Sequence, residues 1–339
     1  MSAPGSGAAL PVGLIGLGKH GVRYLTHLRG DVPGLRLAAV CRRDAAQGRA
    51  LAGEFGVAFH ADPEDLIADP AVRAVIAVVP PAEHARIVAA VARERKALLL
   101  EKPFAIDVRE GVRQRDLLAA SGVPCQVAHT LRYAAVVREL RRHAPALGRL
   151  HQMVLGQSFE PSRLGWLDDP SLSGGGNILH TGVHMFDLLR HLSGGEVERV
   201  SCATARVTTR QTEDSFAATM TVGLEPGPPL LAALAGARTT RSRYGEVRLI
   251  GEHAQLAADH VHGRVVLLED RRETVLATLA DEPTVLAVLR EFAHIATGAV
   301  APSITAQDGL AAVAIADACY RSAAAGRSVA VWPCEEKEC

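Results

Sequence analysis

Val12-Gly13-Leu14-Ile15-Gly16-Leu17-Gly18-Lys19-His20-Gly21 decides how the first third of this 339-residue chain is to be read. A short apolar run leads into Gly-x-Gly-x-x-Gly, and Val22, Leu25 and Leu28 then recur at helical spacing. Strand, glycine turn, helix is the order in which a Gly-rich turn becomes a dinucleotide fingerprint. The glycines permit a tight turn and close approach of a ligand to the backbone. The helix start offers N–H groups to a pyrophosphate. Gly16, Gly18 and Gly21, with Lys19 and His20 between them, are therefore candidate cofactor contacts.

Outward from this stretch the strand–helix alternation repeats. Leu35 to Cys41 reads as a strand and Ala45 to Phe55 as a helix closed by Gly56. Ala74 to Val79 is a buried strand stopped by Pro80-Pro81, with a helix over about 83–95. Leu98-Leu99-Leu100-Glu101-Lys102-Pro103 is another strand end, followed by a helix over about 107–121 and a strand at Val123 to Ala128. Such alternation predicts a doubly wound parallel sheet, with ligands beyond the carboxyl ends of its strands. The glycine turn, Arg42, Pro80, His84, Glu101 and Lys102 fall in those connections.

The second strand ends Val40-Cys41-Arg42-Arg43-Asp44. At that point a nicotinamide-binding fold places the residue that meets the adenosine ribose. A carboxylate there would repel a 2′-phosphate, whereas guanidinium groups bind it and stack on adenine. Arg42 and Arg43 thus predict NADP(H) over NAD(H). The alternative is that Asp44 takes the ribose and the arginines only solvate the turn.

Lysine is rare: only Lys19, Lys96, Lys102 and Lys337 among 37 basic residues. A lysine kept at a strand tip in an arginine-rich chain draws attention, because lysine can shed its proton near neutral pH. Formal net charge is zero and the pI is about 7.2. This gives no basis for a nucleic-acid or anionic-membrane partner, and no apolar run reaches the length of a membrane helix. The six cysteines form no Cys-x-x-Cys pair. They read as reduced thiols of a cytoplasmic protein.

At this length two domains are expected. Residues 11–128 form the dinucleotide-binding domain and 129–332 an α+β domain, between a flexible start (1–10) and a flexible tail (333–339) carrying Cys334 and Cys339. His129 to about His143 reads as a helix. From residue 150 the strand pattern changes: His151–Phe159, Val197–Thr208, Ser215–Gly223, Leu230–Thr239, Glu246–Ile250, Ala254–Ala258 and Arg264–Leu268 are joined by short turns. These predict a large, open, mostly antiparallel sheet. Helices are expected over Pro283 to Thr297 and over about 306–325, the latter able to pack back on the first domain, with a terminal strand at Ser328 to Trp332.

Within this second domain Gly174-Gly175-Gly176-Asn177 leads into a helix. There His180, His184 and Asp187 are spaced i, i+4 and i+7, on one face, among apolar neighbours. Polar groups so placed must line a cavity or be paired. His-x-x-x-His on a helix is also metal-competent. Asn177 is the only asparagine in the chain. Trp166 lies in a loop just before the glycines, as a stacking wall for a ring or as a plug at the domain seam.

Taken together these stretches resemble the glucose–fructose oxidoreductase/inositol dehydrogenase (Gfo/Idh/MocA) family. The resemblance rests on Gly16–Gly21, Pro80-Pro81-Ala82-Glu83-His84, Glu101-Lys102-Pro103, Gly174-Gly175-Gly176 and Gly182-Val183-His184-Met185-Phe186-Asp187, with Gln307-Asp308-Gly309-Leu310 and Tyr320-Arg321-Ser322 near the end. It implies a Rossmann domain, an α/β domain with a large open sheet, NAD(P) use with sugars, cyclitols or related polyols, and homodimers or homotetramers formed through the sheet. Lys102 matches the catalytic lysine, and His184 the histidine that exchanges a proton with the reacting oxygen. Familiar members carry aspartate four residues before that histidine; here His180 stands in its place and joins the catalytic candidates. The family's general lack of a metal argues against one here. Arg132, Trp166, Asn177 and Asp187 are the candidate substrate contacts. Two other roles suit the same motifs: redox-neutral lyase or glycosidase chemistry with a transiently used cofactor, and non-catalytic dinucleotide sensing.

Overall fold

The computed structural model describes residues 9–280 and 282–331. The expectations for residues 1–8, Trp332 and the Cys334/Cys339 tail lie outside them. The chain divides into two compact units.

The first unit is an alternation of strands and helices: β1 (Leu10–Ile15), α1 (Gly21–His27), β2 (Leu35–Cys41), α2 (Ala45–Phe55), β3 (Ala58–His60), α3 (Pro63–Ala68), β4 (Ala74–Ala77), α4 (His84–Glu94), β5 (Ala97–Glu101), α5 (Val108–Ser121) and β6 (Cys125–Ala128). The six strands form one parallel sheet in the order β3-β2-β1-β4-β5-β6. The order reverses at β1, so the glycine turn lies at the topological switch point. Every residue of β4 and β5 is buried, as expected for strands covered on both faces. Gly13 leaves room for α3: a Cβ there would lie 2.4 Å from Leu66 Cδ2.

Two short elements escaped the sequence reading, β3 and α3. Each is under seven residues, too short for periodicity to register. Asp62 caps α3 by accepting from Glu64 N at 2.8 Å.

The second unit begins at Lys102, immediately after the last residue of β5, and gives Arg113–Ala128 back to the first unit. Its elements are α6 (Ala135–His143), β7 (Leu150–Ser158), α7 (Pro170–Ser173), α8 (Val183–Ser193), β8 (Glu196–Ala205), β9 (Ser215–Gly223), β10 (Leu230–Ala237), β11 (Tyr244–Gly251), β12 (Gln255–Asp259), β13 (Arg264–Glu269) and β14 (Arg272–Thr278). Then α9 (Thr284–Ala296) returns to the first unit, while α10 (Ala306–Ala325) and β15 (Val329–Ala330) complete the second. The nine strands run β14-β13-β12-β11-β7-β10-β9-β8-β15, antiparallel except for the β7–β10 pair. β14 was not foreseen, because it is largely exposed and lacks clean alternation.

One face of this sheet is core. Phe216, Met220, Val222, Leu230, Leu234, Val247 and Leu249 are buried on it, and Phe186 of α8 meets Phe216 with ring centroids 6.1 Å apart. On the other face Leu231, Ala233, Ala235 and Tyr244 are exposed.

Residues 307–325 group with the second unit and Val285–Ala306 with the first, with Ala293 3.1 Å from where a Cβ on Gly34 would lie and Ile304 O accepting from Val127 N at 3.0 Å. One expectation about helices is corrected: the segment 129–143 is broken, a 3-10 turn spans Thr130–Tyr133, and α6 starts only at Ala135.

Candidate functional site

In the first unit, β1 runs into the glycine turn. Gly16 has φ +92°, and a Cβ on it would lie 2.1 Å from Val78 O; only glycine fits. A Cβ on Gly21 would lie 1.8 Å from Gly16 O, whereas nothing stands within 4 Å of one on Gly18. The turn is thus tight below and open above. That is the cradle a pyrophosphate requires, and the residues present fit a dinucleotide.

Glu101 fastens this turn to the end of β5. Its Oε1 accepts from Tyr24 Oη at 2.5 Å and lies 2.7 Å from His20 Nε2. The carboxylate is 5% exposed and is bonded to His20 of the turn and Tyr24 of α1. His84 is buried at the start of α4. Pro80 directly precedes the short 3-10 turn that leads into α4, and Lys19 stands exposed on the glycine turn.

At the end of β2, Arg42 Nη1 donates to Leu17 O at 2.8 Å and Nη2 to Gln47 Oε1 at 2.5 Å. Arg43 projects outward, 81% exposed, 3.6 Å from Glu83. Asp44 is the N-cap of α2; it accepts from Gln47 N at 3.0 Å and from Gln47 Nε2 at 2.6 Å. Those hydrogen bonds hold its carboxyl below the usual range.

In the second unit, Lys102 Nζ donates to the main-chain carbonyl of His180 at 2.8 Å. That carbonyl lies in a π-helical turn, Ile178–Gly182, which precedes α8. Single π turns of this kind recur at functional sites. His180 lies in this turn, and His184 and Asp187 lie on α8. His180 faces Trp166, with ring centroids 5.3 Å apart, while His184 faces His129 at 5.9 Å, both edge-to-face.

His180 is buried and its Nε2 has no hydrogen-bond partner. Burial first, then the positive charges of Lys102 and Arg238, push its pKa well below the usual histidine value, so the ring is neutral. His129 is also buried with both ring nitrogens unpartnered, and burial lowers its pKa too.

Asp187 and Arg132, both candidate substrate contacts, engage each other. Arg132 donates through Nε and Nη2 to the two Asp187 oxygens at 2.7 and 2.6 Å, and Nη2 also meets Asp308 at 3.2 Å. Asp187 is 1% exposed, so this bidentate pair pins the His129–Tyr133 turn to α8. Among the described residues no group of three or more His, Cys, Asp or Glu side chains is arranged to hold a metal ion.

A cavity of about 290 Å³ opens beside His180, lined by Asn177, Leu167, Glu213, Arg238 and Thr212 among others. Asn177 is 2% exposed and neither of its side-chain polar atoms has a partner. Trp166 packs edge-on against His180, and its neighbours Gly165 and Leu167 build the cavity wall.

The model of the oxidoreductase family with an NAD-binding Rossmann fold matches residues 10–129, and that of the GFO/IDH/MocA C-terminal domain matches residues 143–257. An inositol 2-dehydrogenase of Saccharopolyspora erythraea is 31% identical over 94% of this chain and 96% of its own length. The chain belongs to the Gfo/Idh/MocA oxidoreductase family. The scyllo-inositol 2-dehydrogenase (NAD(+)) of Bacillus subtilis is 28% identical over 56% of this chain and 55% of that protein. In fold, an oxidoreductase domain protein of Kribbella flavida superposes with a TM-score of 0.86 at 20% identity, covering 96% of this chain and 100% of that one.

Against the Gfo/Idh/MocA pattern three features had no sequence signal of their own. Tyr24 is one of many helical aromatics until its hydroxyl meets Glu101. Tyr320 and Glu213 join across 107 positions, Tyr320 Oη donating to Glu213 Oε1 at 3.0 Å beside Gly176 N. Arg238 is one arginine of a very arginine-rich chain, and only its placement in the cavity wall distinguishes it.

Proposed function

We propose that this protein is an NADP(H)-preferring dehydrogenase or reductase. Its substrate would be a hydroxyl or keto carbon of a sugar, nucleotide sugar, cyclitol or similar small molecule. The bound nicotinamide would supply the hydride acceptor or donor. Lys102 polarises the substrate oxygen, and His184 exchanges the proton with it. His180, neutral, supplies an imidazole nitrogen where relatives supply a carboxylate. The observation that carries this reading is the amine of Lys102 held on the His180 carbonyl. It orients the Lys102 amine at the turn that carries His180.

The NADP preference is supported by the engagement of Asp44 as a helix cap and by Arg42, braced on Leu17 O of the glycine turn. We further propose a homodimer or homotetramer formed through the uncovered face of the nine-stranded sheet. We place the enzyme in the cytoplasm, where its buried thiols Cys41, Cys125 and Cys319 stay reduced. No helix among the described residues is long and apolar enough to cross a membrane.

The test is a cofactor absorbance assay with NADP(H) and NAD(H) against sugars, cyclitols and their keto forms. Turnover with at least one of them, faster with NADP(H), is expected. Tight cofactor binding with no turnover on any of them would remove the dehydrogenase reading.

A further inference from the structure

The cavity beside His180 has an unusual charge distribution. Three carboxylates line it, and all three are engaged by the backbone. Asp168 accepts from the N–H groups of Arg210, Gln211 and Thr212, each at 2.9 Å. Asp214 accepts from Val207, Thr208 and Thr209 N at 2.8, 2.6 and 3.1 Å. Glu213 accepts from Gly176 N at 3.1 Å, Ile178 N at 2.8 Å and Tyr320 Oη at 3.0 Å. These groups shape the walls and have their lone pairs directed into the protein.

Two cations line the same wall, Arg163, which is exposed, and Arg238, which is treated differently from the carboxylates. Arg238 is half-buried, and its side chain makes one long hydrogen bond, Nη1 to Thr181 Oγ1 at 3.4 Å; its buried Nε has no partner. The carboxylate that acts on it electrostatically, Glu160, is held by Arg243 Nε at 2.7 and 3.0 Å. Beside it, Asn177 has both side-chain polar atoms buried and unsatisfied, and His180 Nε2 is unsatisfied as well. Three unsatisfied polar side chains in one cavity wall cost free energy unless a ligand completes them. The ligand that suits a fork of guanidinium N–H groups next to an amide donor is an oxyanion. A neutral polyol would leave the Arg238 charge uncompensated.

We propose that this cavity binds an anionic oxyacid group of the substrate, a carboxylate or a phosphate, with Arg238 as its counter-ion and Asn177 as its hydrogen-bond partner. The substrate class thereby narrows to acidic sugars and polyols, a deepening that rests on the oxidoreductase reading above only for calling the ligand a substrate. Thr181, which shares the Arg238 guanidinium, follows His180 directly in the π turn, so the anion anchors at the turn that also holds Lys102. Burial, then the positive charge of Arg243, lowers the pKa of Arg238, with Glu160 acting the other way.

The experiment is isothermal titration of the NADP⁺-saturated protein with D-gluconate, glucose 6-phosphate, glucose and myo-inositol, repeated with Arg238→Gln and Arg238→Lys. One of the two acids is expected to bind at least tenfold more tightly than either neutral compound, and which acid does so separates carboxylate from phosphate. In Arg238→Gln the advantage should vanish; Arg238→Lys should keep part of it. The wild-type comparison stands even where a variant fails to fold, and the acid's affinity should fall with added salt. Equal or tighter binding of the neutral compounds, or no binding of either acid, overturns the proposal. Cofactor turnover on neutral polyols with no preference for acids would overturn it while leaving the dehydrogenase reading intact. Acid binding that depends on Arg238 but never yields turnover would do the reverse.

Discussion

Lys102 Nζ and the main-chain carbonyl of His180 are joined by a 2.8 Å hydrogen bond. That bond orients the amine at the turn that carries His180. An amine so placed is suited to polarise a substrate oxygen. Replacing it with Met keeps the length and apolar stem and removes the charge. We expect Lys102→Met to lower kcat by about 10²–10³-fold, the scale for losing one stabilising donor. Cofactor affinity, followed by fluorescence titration, should change far less. A kcat within threefold of wild type would remove Lys102 from the chemistry.

How much of this was legible in the sequence differs between the two units. The parallel sheet follows from local pattern, because buried strands read as apolar runs and the glycine turn marks the switch point. Lys102, His180, His184 and Asn177 announced themselves through rarity and spacing. The fate of Asp187 did not. Its partner Arg132 lies 55 positions away, and the π turn before α8 has no sequence signature. Arg238 was hidden for a related reason: an arginine's role depends on which carboxylates are already engaged, and that is decided by loops from distant parts of the chain.

Arg42 should decide cofactor choice. With Asp44 engaged as a cap, an aspartate at position 42 would add the carboxylate that repels a 2′-phosphate. A charged hydrogen bond is worth about 1.5–3 kcal/mol, so Arg42→Asp is expected to shift the NADP(H):NAD(H) ratio of kcat/KM by about 10–100-fold toward NAD(H). Steady-state kinetics with both cofactors measures it. An unchanged ratio would refute the assignment of Arg42 to the phosphate.

The Arg132–Asp187 pair is a structural pin. Asp187 is buried and Arg132 nearly so, and truncating one member of such a pair costs about 3–5 kcal/mol. Asp308, 3.2 Å from Arg132 Nη2, softens this toward the lower end. Asp187→Asn should lower Tm by roughly 5–10 °C in a domain of this size. Differential scanning calorimetry would show it, and an unshifted Tm would mean that the pair contributes nothing to folding.

His129 and His180 give stability a pH dependence of known sign. Both are buried with pKa values lowered by burial, so the folded state stays neutral there while the unfolded chain takes up protons below about pH 6.5. Stability is therefore complete above the unfolded value and falls as pH drops below it, by up to about 1.4 kcal/mol per pH unit for each group. His180→Asn should flatten the fall in urea-midpoint stability between pH 6.5 and 5 by about one proton. A variant with the wild-type slope would show that His180 is protonated in the folded protein.

The uncovered sheet face offers the last test. Leu231 is 50% exposed and Tyr244 47%; Ala233 and Ala235 are exposed along β10, and Glu246 and Arg248 pair with each other on the same face of β11. A second copy covering this face would bury these side chains, as stable interfaces of about 1,600 Å² do. An arginine at position 231 would place a charge at the centre of that contact, while remaining harmless in a single exposed sheet. Leu231→Arg is expected to convert the assembly to a smaller species in light-scattering chromatography, with the strand content by circular dichroism unchanged. A wild-type protein that elutes as a monomer at micromolar concentration, or a variant that keeps the wild-type mass, would place the interface elsewhere.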